Sequence, residues 1–326
     1  MKTDNPEENG SAIDESVLTE QQVDVQVLRN RDFPLVGIGG SAGAFGAFGE
    51  FFASVPPDSG AAFVVVQHLD PSVKSMLPEL LQRHTSMPVV RVKDGMPVAP
   101  NHIYVIPENT EMALFGGRLL LLKPSRPRGL RMPIDTFFQS LAADWGEKAV
   151  AIIFSGMGTD GELGARFVKQ GLGLVIAQRL DTAEYESMPR TIIDSGLADY
   201  VEAPGQMAPQ LFEFLKRPYR NMQHKDAFTS PKVANALHKV LLLLRGQTGH
   251  DFSLYKKNTL FRRLERRMNT LQLESLEEYV TYLQHNQEEV KVLFKDFLIG
   301  VTRFFRDYPA FQLLEEKILP ELLGKK

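Results

Sequence analysis

Three side chains of the types that form a nucleophilic triad each stand just after, or at the end of, a short apolar run. Ser41 follows 34-PLVGIGG-40, His68 ends 61-AAFVVVQH-68, and Asp160 follows 148-KAVAIIFSG-156. A serine hydroxyl is a poor nucleophile unless an imidazole accepts its proton and a carboxylate orients that imidazole. If the three runs are parallel strands of one sheet, the residues meet at one edge and could carry out acyl transfer.

The segment 35-LVGIGGSAGAFG-46 fits two different motifs. Gly39 to Gly43 fit the G-x-S-x-G elbow that exposes a serine, whereas Gly37 to Ala42 fit the looser G-x-G-x-x-A fingerprint of dinucleotide sites. A dinucleotide site needs an acid at the end of the second strand. Asp58 precedes that run and His68 ends it, so the pattern favours the serine.

Each of the three residues also has a plain structural alternative. A lone G-x-S-x-G is a weak signal, His68 could be a hydrogen-bonded loop residue, and Asp160 could cap the helix that follows it. Their joint position at strand ends favours the triad. The chain order Ser, His, Asp differs from the order Ser, Asp, His of α/β-hydrolases, which excludes that fold.

The elements that must position these residues are strands alternating with helices. Apolar runs alternate with helical segments at 44–55, 75–84, 134–146 and 161–171. Strands that are apolar on both faces are typical of a mostly parallel sheet with helices on both faces, so we predict an α/β domain over residues 31–216. The Gly-Gly pair within 111-EMALFGGRLLLLK-123 predicts a hairpin.

The remaining segments lack the alternation of apolar runs and helical patterns. Residues 1–30 are predicted to be a disordered acidic tail, and 217–230 a polar linker. Beyond the linker only helical patterns occur, one of them opened by a capping box of Ser275 and Glu278. We therefore predict a small all-α domain over residues 231–308.

Composition limits the class of protein. The chain has 326 residues, a net charge of −3 and no cysteine. The lack of cysteine excludes disulfides, cysteine-zinc sites and a thiolate nucleophile, and we predict no metal site. No run approaches the roughly 20 apolar residues of a membrane span, and no signal peptide is evident. We expect a cytoplasmic protein with no direct membrane insertion and no nucleic-acid partner.

Residues 33–215 resemble the catalytic domain of CheB-type chemotaxis protein-glutamate methylesterases. The matching segments recur in order across the region and include 37-GIGGSAGA-44, 66-VQHLDP-71, 104-YVIPEN-109, 133-PIDTFFQSLA-142, 153-IFSGMGTDG-161 and 188-MPRTII-193. The resemblance implies hydrolysis of glutamate γ-methyl esters, and deamidation of glutamine, on receptor-like helices, without a cofactor. Residues 1–30 are too short for the receiver domain of that family, so we expect no control by that route within this chain.

The resemblance also assigns roles within the site. Ser41, His68 and Asp160 match the nucleophile, the base and the triad carboxylate. Met157 matches a position whose backbone N–H serves the oxyanion hole, with Gly40 and Ala42 as supporting residues. The family usually has Ser-Thr-Gly-Gly where this chain has Ser41-Ala42-Gly43-Ala44, so a hydroxyl beside the nucleophile is lost.

The second domain resembles the N-terminal helical domain of CheR-type receptor methyltransferases. The matching segments are 249-GHDFSLYKKNTLFRRLERRM-268, 275-SLEEYVTYLQHNQEE-289 and 293-LFKDFLIGVTRFFRD-307. The resemblance implies that Thr302 and Arg306 help to hold S-adenosylmethionine, and that residues 309–326 begin a methyltransferase domain whose remainder is missing. S-adenosylmethionine would then be used only if that domain were supplied.

Two groups of arginines are candidate binding residues. The helical segment 259–271 has an apolar stripe and a basic face formed by Arg262, Arg263, Arg266 and Arg267. The resemblance implies that this face recognises the acidic methylation helices of receptors, although a solvated face is the simpler explanation. Arg126, Arg128 and Arg131, in a proline-rich loop, are predicted either to line the substrate approach or only to add solubility.

These observations together predict a serine esterase carried with a receptor-recognition domain. Two alternatives remain open at this stage. One is a non-catalytic signalling scaffold within a larger fusion of the two families, and the other is an esterase acting on a soluble ester unrelated to chemotaxis.

Overall fold

The computed structural model describes residues 32–68, 75–124, 126–127, 129–216 and 231–298. By its contacts the chain divides into two units, Met1–Leu215 and Lys216–Lys326. The predicted tail, linker and C-terminal segment lie outside the described residues, and so do Arg128, Thr302 and Arg306. No helix of the described part is long and apolar enough to cross a bilayer.

The first unit alternates strands and helices along the chain. The strands are β1 (Leu35–Gly40), β2 (Ala62–Gln67), β3 (Val89–Arg91), β4 (Met96–Pro97), β5 (Ile103–Val105), β6 (Glu111–Phe115), β7 (Arg118–Leu122), β8 (Ala149–Ile153), β9 (Leu174–Gln178) and β10 (Tyr200–Glu202). The α-helices are α1 (Ala44–Ala53), α2 (Leu77–Leu81), α3 (Pro133–Trp145), α4 (Glu162–Gln170), α5 (Ser187–Asp194) and α6 (Pro204–Leu215).

Seven strands form a parallel sheet in the order β10-β9-β8-β1-β2-β5-β3. Strands β1, β8 and β9 are buried at every position, because both of their faces are covered. The predicted parallel α/β sheet is confirmed. Strands β3 and β10, which no apolar run predicted, are the two edges of the sheet and have three residues each.

Helices cover both faces of this sheet. One core joins the sheet to α3, α4 and α5, with Phe137 and Phe138 at its centre. The other joins it to α1, α2 and α6, with Phe48 and Phe51 fully buried. The two cores explain why the central strands are apolar on both faces, and they confirm the predicted layering.

The predicted hairpin is confirmed as part of a small antiparallel sheet in the order β4-β7-β6. Gly116 and Gly117 connect β6 to β7 with φ angles of 60° and 76°. Two successive positive φ angles are the signature of a type I′ turn, which suits the right-handed twist of a two-stranded ribbon.

The order of the strands creates a switch point at β1. The chain runs from β1 through α1 to β2 on one side, while β8 pairs with β1 on the other. Helix α1 and the helix after β8, α4, lie on opposite faces of the sheet. The crevice outside the carboxyl ends of such strands is where open α/β sheets bind ligands.

The second unit is helical in its described part. Its helices are α7 (Pro231–Thr248), α8 (Lys257–Thr270), α9 (Leu276–His285) and α10 (Gln287–Leu298). They share one apolar core in which Val240, Leu264 and Leu293 are fully buried. The predicted capping box of Ser275 and Glu278 opens α9 with both of its hydrogen bonds formed.

Candidate active site

The loops after β1, β2 and β8 bring Ser41, His68 and Asp160 together. Ser41 Oγ lies 3.5 Å from His68 Nδ1, and His68 Nε2 lies 2.8 Å from Asp160 Oδ2. The His68 side chain is 34% exposed, whereas that of Asp160 is 2% exposed. A hydroxyl open to a ligand, an accessible imidazole and a buried carboxylate are thus aligned in the order that nucleophilic catalysis requires.

The ring of His68 has a defined direction. An ionised carboxylate can only accept a hydrogen bond, so His68 Nε2 donates to Asp160. Nδ1 then presents its lone pair to Ser41 Oγ. In the chymotrypsin-type triad the two ring nitrogens have the opposite roles. The base atom of this site is therefore Nδ1.

Asp160 is fixed by the N-terminus of α3. The backbone N–H groups of Ile134 and Asp135 donate to its two carboxylate oxygens, at 3.0 and 2.9 Å. The N-cap residue of α3, Met132, supplies no side-chain cap. Asp160 does cap a helix, but it caps α3 rather than the helix that follows it in sequence. The positive end of the α3 dipole also favours the ionised carboxylate.

Asp135 makes the reciprocal contact with α4. Its Oδ1 accepts from the backbone N–H groups of Gly161 and Gly164, at 3.0 and 2.7 Å. Burial raises the pKa of Asp135 to about 6, and the nearby charges of Asp160 and Glu162 add to this against the two hydrogen bonds. Asp160, which precedes α4, therefore binds the N-terminus of α3, and Asp135, which lies in α3, binds the N-terminus of α4.

The turn after β1 depends on close packing by glycine. A Cβ on Gly40 would lie 2.6 Å from Phe48 Cζ, so a larger residue would push α1 away from β1. Gly43, the N-cap of α1, has a φ of 73°, and a Cβ there would lie 2.6 Å from Glu184 Cβ. Both glycines let α1 start immediately after Ser41.

Backbone N–H groups beside the nucleophile are available to an oxyanion. Within the part of the chain that the structure describes, the N–H groups of Ala42 and Met157 donate to no protein acceptor. Ala42 follows the nucleophile directly, the usual position for one such donor. Met157 lies in the loop that also carries Asp160, and its side chain is 60% exposed.

Ser155 joins the loops of the site, although it was not predicted as a site residue. This fully buried residue accepts at its backbone oxygen from the N–H of Ser41, at 2.9 Å. Its Oγ donates to the backbone oxygen of Ala42 and accepts from the N–H of Tyr185, both at 2.9 Å. Its N–H donates to Gln178 Oε1 at 2.8 Å. The only sequence signal was its place at the end of an apolar run.

The loop arginines lie next to the α3 N-terminus. Arg131 donates from Nη1 to Asn109 Oδ1 and from Nε to the backbone oxygen of Arg126, both at 2.9 Å. Arg126 is exposed. Arg131 precedes Pro133, where α3 begins, and the predicted role of these arginines in the substrate approach stays a prediction.

The predicted exposed basic face of α8 is wrong for three of its four arginines. Arg263, Arg266 and Arg267 are only 7%, 1% and 5% exposed. The reason is that α10 places carboxylates against them. The contacts are from Arg266 Nη1 to Asp296 Oδ2 at 3.2 Å, from Arg263 Nη1 to the Asp296 backbone oxygen, and from Arg267 to both oxygens of Glu289 at 2.9 and 2.7 Å.

Arg262 is the one arginine of the four that is exposed, and two more exposed cations, Lys256 and Lys257, precede it. A further acidic residue, Glu265, lies on the same helix. Burial raises the pKa of Glu265 to about 7, which the nearby Arg262 partly opposes. The exposed cationic patch of α8 therefore consists of Lys256, Lys257 and Arg262.

Comparison with known proteins gives a family for both parts of the chain. Residues 36–211 match the CheB methylesterase family, and residues 235–298 match the all-α domain of CheR methyltransferases. The first match covers more than half of the chain. The chain belongs to the CheB methylesterase family. The CheR-type segment coincides with α7 to α10 of the second unit.

Individual relatives support both parts. The protein-glutamate methylesterase/protein-glutamine glutaminase of Thermotoga maritima is 30% identical over 185 residues, 56% of this chain and 54% of that protein. The crystal structure of the Thermotoga maritima CheB methylesterase catalytic domain matches with a TM-score of 0.53 and 29% identity, over 56% of this chain and 98% of that one. The similarity to solved structures thus concerns the first unit.

A third relative extends the similarity into the second unit. An uncharacterized 104.1 kDa protein of Rhodobacter capsulatus is 36% identical over 266 residues, 76% of this chain but 28% of that protein. A match of that length is longer than the first unit. The chain spans about half the length, or less, of these curated relatives.

Proposed function

We propose that this chain is a serine esterase that hydrolyses glutamate γ-methyl esters on the helices of chemoreceptor-like proteins. The observation that carries the proposal is the contact from Ser41 Oγ through His68 to the buried Asp160, at the switch point of a CheB-type sheet. Family membership supports the substrate class, because relatives of this family are named protein-glutamate methylesterases.

The acylation step uses the three side chains in turn. Ser41 Oγ attacks the γ-carbonyl carbon while His68 Nδ1 takes the hydroxyl proton. Asp160 stabilises the imidazolium that forms. When the tetrahedral intermediate collapses, the same nitrogen returns the proton to the methoxy oxygen, so the C–O bond breaks, methanol leaves and Ser41 is acylated.

The oxyanion of that intermediate needs donors that are already oriented. We assign this role to the N–H groups of Ala42 and Met157. Ala42 follows Ser41 directly, and Met157 follows Gly156, where an added Cβ would lie 3.0 Å from Ser41 Cβ. Removing one such donor in a hydrolase typically costs about a hundredfold to a thousandfold in rate. A backbone donor does not depend on the side chain, so we expect the oxyanion site to tolerate alanine at position 42, where the family usually has threonine.

Deacylation reverses these roles with water as the nucleophile. His68 Nδ1 takes a proton from water while the hydroxide adds to the acyl carbon. The bond to Ser41 Oγ then breaks, His68 returns the proton to that oxygen, and the glutamate side chain is released. A glutamine amide differs from the ester only in its leaving group, so the same site can deamidate glutamine and release ammonia. The step requires a hydroxyl, an imidazole and a carboxylate, and we propose that no cofactor takes part.

Apolar side chains near the triad suit a helical substrate. Met157, Met132 and Tyr185 belong to loops on the carboxyl side of the sheet and are 60%, 36% and 39% exposed. Met132 precedes α3, Met157 follows β8 and Tyr185 precedes α5. An amphipathic helix can place its apolar face on such side chains while one glutamate ester reaches Ser41.

For the second unit we propose a role in recognising an acidic partner helix. Lys256, Lys257 and Arg262 supply the charge, because they are exposed whereas the other three arginines of α8 are buried. Transfer of a methyl group from S-adenosylmethionine, with Thr302 and Arg306 at the cofactor, stays a prediction that depends on a methyltransferase domain. A cytoplasmic location is likewise part of the proposal.

The test is release of methanol from a receptor fragment carrying γ-methyl-glutamate. We expect release by the wild type and by Ser54→Ala, a serine at the far end of α1, but none by Ser41→Ala. A folded wild type that reacts with a fluorophosphonate at Ser41 yet releases no methanol would point to a different ester. A folded wild type that does neither would contradict the hydrolase and favour the scaffold.

A further inference from the structure

The exchange of carboxylates between α3 and α4 suggests a role for a side chain that touches none of the reacting atoms. We propose that Asp135 is a positioning residue of the triad: its carboxylate fixes the loop that carries Asp160, and its negative charge supports the protonated form of His68 in the transition state. The inference rests on the proposed hydrolase function of the same site.

The positional part of the argument comes from the hydrogen bonds. Asp135 accepts from the N–H of Gly161, the residue directly after Asp160, and from that of Gly164 in the first turn of α4. The N–H of Asp135 in turn donates to Asp160 Oδ1 at 2.9 Å. Both the backbone and the carboxylate of Asp160 are therefore tied to one residue of α3. A shift of that residue would move the group that orients His68.

The electrostatic part comes from burial. Asp135 and Asp160 are only 9% and 3% exposed, so water screens their charges poorly. Two ionised carboxylates at this site repel each other, and the helix N-termini offset only part of that cost. The extra negative charge becomes favourable when His68 takes the proton of Ser41, because a cation then forms next to Asp160.

The protonation state of Asp135 makes the idea testable. Its pKa lies at about 6, raised first by burial and then by Asp160 and Glu162. Above that pH the carboxylate adds its charge, and below it the charge is lost while Oδ1 can still accept the two N–H bonds. The charges that raise its pKa are those of Asp160 and Glu162. Glu162 pairs with Arg166 at 3.1 Å, and Asp160 contacts the titratable His68 at 2.8 Å.

Two substitutions separate position from charge. Asp135→Asn keeps an oxygen that can accept from Gly161 and Gly164 but removes the charge, whereas Asp135→Ala removes both. Asp144→Asn is the matched control. Asp144 lies on the same helix and also accepts from two backbone N–H groups, those of Gly116 and Gly117 at 3.3 and 2.9 Å. At 1.5 Å per residue it is about 13 Å farther along the helix.

The readout is the rate at which a fluorophosphonate labels Ser41, measured across pH, with Ser41→Ala as the blank. This rate reports on the triad whichever ester is the natural substrate. We expect the ratio of wild type to Asp135→Asn to rise from about one at about pH 5 to roughly fivefold at about pH 8. Asp135→Ala should lose at least about tenfold at both pH values. Asp144→Asn should keep the wild-type profile.

A purely structural role predicts a different pattern. The ratio for Asp135→Asn would then be the same at every pH, and that result would overturn the electrostatic part. Wild-type labelling by a folded Asp135→Ala would overturn the positional part. If the wild type is labelled but releases no methanol, the substrate proposal fails while this inference is still decided by the ratios. A folded wild type without labelling at Ser41 overturns both.

Discussion

The two units of this chain bury charged side chains in opposite ways. In the first, Asp135 and Asp160 carry the same charge and lie at neighbouring helix N-termini, and Asp160 contacts an accessible histidine. In the second, Arg266 and Arg267 are each paired with a carboxylate of α10. Like charges held together cost stability and mark reactive sites, whereas opposite charges hold helices in register.

The difference also concerns what each cluster faces. His68, which Asp160 holds, is open enough to meet a substrate, with 34% of its side chain exposed. The pair of Arg267 and Glu289 is 6% and 5% exposed and receives a further bond from the Tyr279 hydroxyl, at 2.8 Å. The first arrangement keeps one group available for chemistry, and the second directs its charged groups to partners within the fold.

The largest effect is expected when the orienting carboxylate is neutralised. Asp160→Asn presents an amide that can donate to His68 Nε2, so the proton moves to Nδ1 and the base atom is lost. We expect kcat to fall by about a thousandfold to ten-thousandfold, as in other triads. Methanol release or Ser41 labelling measures it. Asp181→Asn, an exposed carboxylate paired with Arg179, should change neither, and a loss below about tenfold for Asp160→Asn would contradict the assigned role.

The second effect concerns stability of the helical unit. Arg267→Met leaves the buried Glu289 without its cation, and such losses cost about 3–5 kcal/mol. The free energy of unfolding of the second unit, from urea titration followed by its helical signal, should fall accordingly. Arg262→Met removes the same charge from an exposed position of the same helix and should change it by at most about 0.5 kcal/mol. Equal losses for the two variants would contradict the assignment of the buried pair.

The contrast between the units explains what the sequence could predict. The ends of the central strands could be predicted from the sequence, because apolar runs such as 61-AAFVVVQH-68 indicate a central strand. Parallel strands place their carboxyl ends at the same edge of the sheet. Ser41, His68 and Asp160 were therefore placed together correctly. The short strands at the edges of the sheet could not be predicted from the sequence. Val89–Arg91 and Tyr200–Glu202 have three residues each and no fully buried run.

For the helices, the sequence predicted which side chains face the core only where those side chains are apolar. The apolar stripe predicted within residues 259–271 does face the core, where Leu260 and Leu264 are buried. The burial of Arg266 depends on Asp296, which lies thirty positions away on another helix, and periodicity on one helix cannot reveal such a partner. The same holds for Asp135. Its exchange with Asp160 arises from the packing of α3 on α4, not from any local pattern.

The third effect is smaller and has the opposite sign to the second. Because the pKa of Asp135 is raised from 3.8 to about 6 in the folded state, folding binds a proton, and the stability present below about pH 4 is lost as pH rises through about 6. Asp135→Asn avoids that loss. Since each pKa unit corresponds to about 1.4 kcal/mol, we expect it to raise the free energy of unfolding by at most about 3 kcal/mol at about pH 7 and by about 0.5 kcal/mol at about pH 4.

Urea titration of the first unit at both pH values measures this difference. Asp144→Asn is the control, because its carboxylate accepts from the N–H groups of Gly116 and Gly117 at the other end of the helix, and it should not show this difference between the two pH values. A gain in stability together with a loss of Ser41 reactivity is the trade expected of a functional residue. A loss of stability for Asp135→Asn at about pH 7 would show that its charge is compensated in the fold.

The smallest effect tests the exposed remainder of the basic helix. If Lys256, Lys257 and Arg262 contact an acidic partner helix, Arg262→Gln should weaken binding of an acidic receptor peptide by about threefold at low salt. The difference should shrink as the Debye length falls from about 30 Å to about 8 Å with rising ionic strength. Fluorescence anisotropy of a labelled peptide, titrated at low and physiological salt, measures both quantities.

Lys291→Gln is the control, because it removes one exposed positive charge from α10 rather than from the patch. A general effect of net charge would weaken the peptide equally in both variants, and that result would remove the patch from the recognition surface. A selective loss with Arg262→Gln would complete the comparison. The arginines that α10 neutralises would then serve the fold, and only the cations that it leaves exposed would serve recognition.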